Sequence, residues 1–245
     1  MKRSEYELLA KTTDWYWWHV AKRRLIQTFL SRLNICPTTD RNKFVLDFGC
    51  GVGSNQPLLA QYGQVVGVDI SKQALQYARR NSYFSLQQAN TDQSFDFGHQ
   101  FEMIGCFDVL YHRKINDEVV LKNLAKIAKK NAVLVVTDCA HPALWSQHDV
   151  NNMARERYSA AELIAKINAN GWQVKNWSYL FMSTFPFFML SRLLNKILGG
   201  TADQEYAVPK WLNTLLIYLL KIDAFILKRL RLPFGSSLII VATKR

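Results

Sequence analysis

The stretch Val45-Leu46-Asp47-Phe48-Gly49-Cys50-Gly51-Val52-Gly53 constrains the fold more than any other part of this chain. A short apolar run, Phe44 to Phe48, ends in three glycines at alternate positions. The run reads as a buried strand, and the glycines allow a turn that comes close to a ligand before a helix begins. Sixteen residues beyond Gly53, a second apolar run (Gln64 to Val68) ends in Asp69, followed by Ile70 and the helix-opening Ser71. Strand, glycine turn, helix and a second strand ending in a carboxylate form a nucleoside-binding half-sheet.

Two ligand classes use such a half-sheet. A dinucleotide site requires G-x-G-x-x-G, whose third glycine lets helix pack on strand. Counting from Gly49 the third position is Ser54, and from Gly51 it is Gln56, so both registers fail. The pattern present, D-x-G-x-G-x-G, resembles the class I S-adenosylmethionine-dependent methyltransferases. The blocks Gly67-Val68-Asp69-Ile70-Ser71, Phe107-Asp108-Val109-Leu110-Tyr111-His112, Leu144-Trp145-Ser146-Gln147-His148-Asp149 and Arg157-Tyr158-Ser159 resemble small-molecule and lipid-precursor members, in the same order. The resemblance runs from about Trp15 to Leu180, with a weaker echo in Pro233-Phe234-Gly235-Ser236-Ser237.

At 245 residues the chain suits one domain with an embellishment. Its cysteines, Cys36, Cys50, Cys106 and Cys139, are far apart and form no C-x-x-C pair. Reduced thiols and a cytoplasmic location are therefore expected, with the inner membrane surface as a second location and no metal site. No signal-peptide apolar core follows Met1, so secretion is not expected. The net charge of +12 is uneven: residues 1–43 carry +5, residues 44–185 carry +1 and residues 186–245 carry +6. Basic flanks on a nearly neutral middle suggest an anionic partner such as a lipid surface, a phosphorylated substrate or nucleic acid, or only a solubilising surface.

Residues 5–33 read as helical. Strands are expected near 43–48, 64–69, 83–88, 101–107, 131–138 and 172–181, and helices near 54–61, 71–81, 115–129 and 159–170. Ser71 and Ser159 are expected N-caps, and Gly171 a helix stop. The rhythm implies an α/β fold: a doubly wound, mainly parallel Rossmann-like sheet with helices on both faces. The resemblance adds a seventh, antiparallel last strand at Ser237 to Ala242. The chain thus divides into an N-terminal helical lid (1–42), a cofactor-binding core (43–181), an apolar helical insertion (182–235) and the closing strand of the core (236–245). The insertion holds Phe185 to Leu198 and Trp211 to Leu230; Lys221 and Asp223 interrupt the second, which excludes a membrane span. It reads either as an interfacial helix making peripheral membrane contact or as an amphipathic cap on the protein's own core.

The resemblance assigns roles. The donor is S-adenosyl-L-methionine, held over the turn formed by Gly49, Cys50, Gly51 and Gly53. Asp47 would meet its ammonium, Asp69 its ribose hydroxyls and Ile70 its adenine face. Asn90 stands where the family usually has an acid at the adenine amine, and Thr91 would offer its backbone. Cys106 would line the pocket near the transferring methyl, with Phe107 and Asp108. His112 is the first candidate general base, and His148-Asp149 the second, because an imidazole titrates near neutral pH. The aromatic segment Trp15-Tyr16-Trp17-Trp18-His19, followed by Arg23-Arg24, would form a lid and basic grip over the cofactor, with Trp18, His19 and Arg24 toward the acceptor, or simply pack as a helix. Tyr111, Arg157 and Tyr158 would line the acceptor side, unless Arg157 pairs with Glu156 or Asp149. Lys129-Lys130-Asn131 replaces the family's Pro-Gly-Gly turn, and Glu102 the usual aspartate of the fourth strand.

The expected activity is methyl transfer to a small-molecule or lipid-linked acceptor, anionic ones included. Oxygen is the expected atom, because no Asn/Asp-Pro-Pro-Tyr motif follows the fourth strand. An RNA methyltransferase is the alternative suggested by charge, although a neutral core and no RNA-binding module make nucleic acid an unfavoured partner. The third alternative is a non-catalytic protein that keeps the cofactor fold to bind a membrane surface or a partner.

Overall fold

The computed structural model describes residues 3–89, 97–198 and 208–245. The first helix, α1 (Arg3–Thr12), is followed by α2 (Trp17–Arg32), so the run 5–33 is two helices broken at Thr13 to Tyr16. Strands β1 (Phe44–Phe48), β2 (Gln64–Asp69), β3 (Ser85–Gln88), β4 (Phe101–Phe107), β5 (Ala128–Cys139), β6 (Trp172–Leu180) and β7 (Ser237–Lys244) form one sheet. Their order is β3-β2-β1-β4-β5-β7-β6, and β7 runs antiparallel to both its neighbours. The connecting helices are α3 (Gln56–Leu59), α4 (Lys72–Ala78), α5 (Asp117–Ile127), α6 (Gln147–Asn151) and α7 (Ala160–Ala169). Between β6 and β7 come α8 (Phe185–Leu198) and α9 (Lys210–Leu227). Among the described residues no helix is long and apolar enough to cross a membrane.

Strand periodicity builds two cores, one on each side of the sheet. Along β7, Leu238, Ile240 and Ala242 enter the core that also holds Val120, Leu124, Leu163 and Ile167 of α5 and α7. The intervening Ile239 and Val241 enter a second core with Leu25 and Phe29 of α2 and Leu220, Ala224 and Leu227 of α9. Successive side chains of a strand point to opposite faces, and both faces here are covered by helices, which is why β7 is buried almost throughout. Ser71 and Ser159 accept the Ala74 and Glu162 N–H groups at 3.2 Å, so both cap as expected. Gly171, with φ of +91°, follows α7.

Strand β5 starts three residues earlier than the sequence suggests. A register shift against β4 lies between Phe101 and Met103, and Asn131 takes φ of 62° there. Asparagine tolerates the left-handed region better than most residues, so it can make the bend at this point without glycine. Glu102 accepts the Phe44 N–H at 2.7 Å and pairs with Lys129, tying the same edge to β1.

Candidate active site

The strand order turns at β1: β2 lies on one side and β4 on the other, so the carboxyl ends of β1 and β4 flank a crevice. Ligands of open α/β sheets bind at such a switch point. The glycine turn enters it first. Gly49 has φ of +70°, and a Cβ there would lie 2.4 Å from Val109; Gly53, at +88°, is equally blocked by Asn81. Gly51 differs: its φ is +55°, yet a Cβ would meet nothing within 4 Å. Two glycines thus serve the protein's own packing, and the middle one leaves an open cradle.

Asp69, at the end of β2, faces that cradle. The N–H groups of Gly51 and Ser71 each donate to one of its carboxylate oxygens at 2.8 Å. A carboxylate accepts at about four lone-pair sites, so this one is aimed by its neighbours and still has capacity to accept. Next to it Ile70 is 44% exposed, an unusual state for isoleucine. Asp47 is buried in β1 and accepts a 2.7 Å hydrogen bond from the Tyr83 hydroxyl. Burial pushes its pKa up to about 7, against the pull of that hydrogen bond and with added repulsion from Asp69. Cys50 is buried in the turn, where burial pushes its thiol up. Asn90 and Thr91 lie outside the described residues.

The opposite side of the crevice is assembled from distant segments. Lys22 of α2, its side chain only 4% exposed, reaches through to pair with Asp108 just beyond β4. Its ammonium also lies 4.8 Å from the Trp18 ring centroid and 5.9 Å from that of Phe107. Asp108 holds φ of 57°, its N–H donates to the Thr137 carbonyl at 2.8 Å, and the Thr137 hydroxyl donates to its carboxylate at 3.4 Å. A non-glycine in the left-handed region stores strain, which concentrates at working sites. One residue on, in β5, Asp138 is fully buried: its Oδ1 accepts the Cys139 N–H at 3.0 Å and its Oδ2 has no partner. Burial, reinforced by repulsion from Asp108, holds Asp138 well above the usual carboxylate range. Two buried acids, Asp47 and Asp138, and the partly exposed Asp108 therefore cluster near the ends of β1, β5 and β4 around one lysine.

His112 belongs to this cluster. Its ring stacks on Tyr111 with centroids 4.5 Å apart, and burial lowers its pKa, opposed by the Met153 backbone, Asp108 and Asp69. It is therefore neutral at neutral pH and able to accept a proton.

Several expected site residues are placed elsewhere. Asp149 and Arg157 are spent on each other in a buried ion pair at 2.7 Å; Asp149 also takes the Ser146 N–H, and Arg157 the Ala140 carbonyl. Paired in this way, Asp149 does not act as a base and Arg157 does not grip an anion, because a buried charge pair holds its members by their mutual need. Tyr158 is fully buried, its hydroxyl donating to Asp117 at 2.8 Å and lying 3.0 Å from the Leu110 carbonyl, so it is a core tyrosine and not an acceptor contact. Cys106 packs in the core beneath α5 and α7. His148 lies on α6, backbone only described. In the lid, His19 is buried and desolvation lowers its pKa to about 3, so it is no basic grip. Of the expected pair Arg23-Arg24, Arg23 reaches the glycine loop, donating to the Ser54 carbonyl at 2.9 Å, and Arg24 is exposed. Trp18 stacks on Phe181 at 6.0 Å and stands over Lys22. Lys22, Tyr83 and Asp138 carry no motif signal and escaped the sequence reading; an unpaired lysine on an apolar helix face was the one available hint for Lys22.

These features accord with what the chain is similar to. Residues 39–185 match the family model described as a methyltransferase domain. No curated protein matches the chain in sequence at a significant level. Solved structures share the fold at low identity. A SAM-dependent methyltransferase from Archaeoglobus fulgidus is 14% identical over 91% of this chain and 94% of that one, with a TM-score of 0.56. Magnesium protoporphyrin IX methyltransferase from Synechocystis PCC 6803, solved with bound SAM, is 16% identical over 93% and 81%, with a TM-score of 0.51. The cyclase SpnF is 15% identical over 93% and 83%, with a TM-score of 0.58. The matched domain spans more than half of the chain, and the chain belongs to the methyltransferase-domain family, with the fold of the class I members that use S-adenosylmethionine.

Proposed function

We propose that the protein transfers a methyl group to an oxygen of a small-molecule or lipid-linked acceptor. The observation that carries this is Asp69, aimed by two backbone N–H groups at the open cradle over Gly51. Its unused lone pairs suit the two ribose hydroxyls, and Ile70 offers an apolar face to adenine. Asp47 suits the donor's ammonium, since a cation placed against it would complete a carboxylate that burial now keeps half-neutral. S-adenosylmethionine supplies a methyl already activated by its sulfonium.

What remains for the chain is to orient the acceptor, exclude water and remove a proton. His112, whose charged form both Asp108 and Asp69 favour against burial, accepts the hydroxyl proton, and the two carboxylates stabilise the imidazolium that results. Lys22 and Trp18, brought in by α2, roof the same place. Loss of the base typically costs 10²–10⁴ in rate.

The test pairs calorimetry with S-adenosylhomocysteine and mass-spectrometric transfer of a trideuterated methyl to a panel of hydroxyl acceptors. His112→Asn should keep the product's affinity within about twofold while turnover falls about a hundredfold. Labelled nitrogen in place of oxygen removes the acceptor assignment. Binding without turnover on any acceptor favours a fold member with other work, as the cyclase likeness illustrates.

A further inference from the structure

Helix α9 is apolar on both sides, and only one of them is covered. Leu220, Ala224 and Leu227 are buried against α2 and the sheet. On the opposite side Trp211, Leu215, Tyr218, Ile222 and Phe225, spaced four, three, four and three residues apart, are each more than half exposed. They form one continuous stripe about 21 Å long at the helical rise of about 1.5 Å per residue. A helix apolar all round belongs inside something, and bare patches of this kind mark interaction surfaces. Ten of the sixteen exposed large apolar side chains among the described residues lie between 185 and 234, although that is about a fifth of the chain.

The charges beside the stripe say what covers it. Lys210, Lys228 and Arg229 are exposed, and the Lys221 ammonium sits 3.8 Å from the centroid of the Tyr218 ring on the stripe itself. The single acid of α9, Asp223, is fully buried and bonded to Ser183, so no carboxylate offsets those cations along the helix. Residues 186–245 as a whole carry +6. A second copy of the chain would bring these like charges face to face, and a polyphosphate would leave the aromatics bare. An anionic bilayer satisfies both, taking the rings at headgroup depth and the ammonium groups at the phosphates. No described helix can span a bilayer, so the contact is with its surface.

We infer that α9 docks the protein on an anionic membrane surface through the face Trp211–Leu215–Tyr218–Ile222–Phe225. The docked helix also carries the lid. Buried Asn213 accepts the Trp17 N–H at 2.8 Å and donates to the Trp15 carbonyl at 3.0 Å, gripping the junction that starts α2. Trp15, 46% exposed, stands at that junction. Lys22 and Trp18 over the strand ends are therefore held on the same frame as the membrane face. The docking surface does not depend on the methyl-transfer chemistry, and its test reads binding alone.

The experiment is flotation of the full chain with vesicles of phosphatidylcholine alone or with one third phosphatidylglycerol. The wild type should float with the anionic vesicles at 0.1 M salt and release at 1 M, with at least tenfold weaker partition to pure phosphatidylcholine. Trp211→Glu with Phe225→Glu should lower partition at least tenfold while S-adenosylhomocysteine affinity stays within twofold, which certifies the fold. Lys228→Glu with Arg229→Glu should lose the preference for anionic lipid. Failure of the wild type to float, or equal flotation of the Trp211/Phe225 variant, overturns the proposal. So does a wild-type dimer by light scattering that this variant breaks without any vesicle binding, which would assign the stripe to a second copy.

Discussion

The donor half of the cleft and its acceptor half are built by different physics. On the donor side, Asp47, the three glycines and Asp69 fall within one strand–turn–helix–strand unit, and the key carboxylate is oriented by backbone N–H groups of its immediate neighbours. Backbone donors cost no side-chain entropy to place, so this half is set as soon as the unit folds. On the acceptor side Lys22 and Asp108 are 86 residues apart, and α2, β4 and β5 must all be in position before the charges balance. The lesson is that the glycine-turn side of the cleft is written locally, whereas the Lys22 side is a tertiary product held by partly buried charge.

Four measurements break or sharpen this contrast. The largest effect is expected for Lys22→Met, which leaves Asp108 beside buried Asp138 without a counter-charge. Urea unfolding should show a loss of about 3 kcal/mol, largely recovered by adding Asp108→Asn. A loss below about 0.5 kcal/mol would mean that the acceptor half does not rest on charge. Next, Asp69→Ala should weaken S-adenosylhomocysteine about a hundredfold by calorimetry, because two hydrogen bonds to a charged acceptor are lost, while unfolding changes by much less. Unchanged affinity would remove the ribose role.

The third concerns pH. Asp47 is held near pKa 7 in the fold and near the ordinary value of about 4 when unfolded, so the folded apo-protein keeps its proton through that window. Its contribution to stability is therefore present below about pH 4 and disappears as pH rises through about 7. A ligand ammonium demands the ionised form, so binding must release that proton. Affinity for S-adenosylhomocysteine should rise about tenfold per pH unit from 5.5 to 7 and then level, and Asp47→Asn should flatten the slope. A flat wild-type profile would detach Asp47 from the ammonium. The smallest effect is a control outside the cleft. Asn131→Ala should cost about 1 kcal/mol at the β5 bend, and Asn131→Gly almost nothing, as thermal melts would show.

The spacing of apolar runs and turn residues was sufficient to place the strands, the N-caps Ser71 and Ser159 and the glycine turn, because these depend on periodicities of two and 3.6 and on φ preferences that each residue carries with it. The α2 break at Thr13 to Tyr16 and the early start of β5 were hidden: both are decided by what the segment packs against. The same holds for the site residues that moved. Arg157, Asp149 and Tyr158 look like pocket residues in a linear reading, yet each satisfies a buried partner instead.

By itself the sequence determined the glycine turn and the placing of Asp69 against it, since a D-x-G-x-G-x-G turn and an acid at the next strand end need only their own neighbours to take shape. The tertiary structure alone decided that Lys22 and not Arg24 reaches Asp108, that Asp138 is buried with an unmatched oxygen, and that the outer face of α9 stays bare. The reason is range. Backbone geometry is a property of a few adjacent residues, whereas burial and charge pairing depend on which distant elements the sheet order brings together.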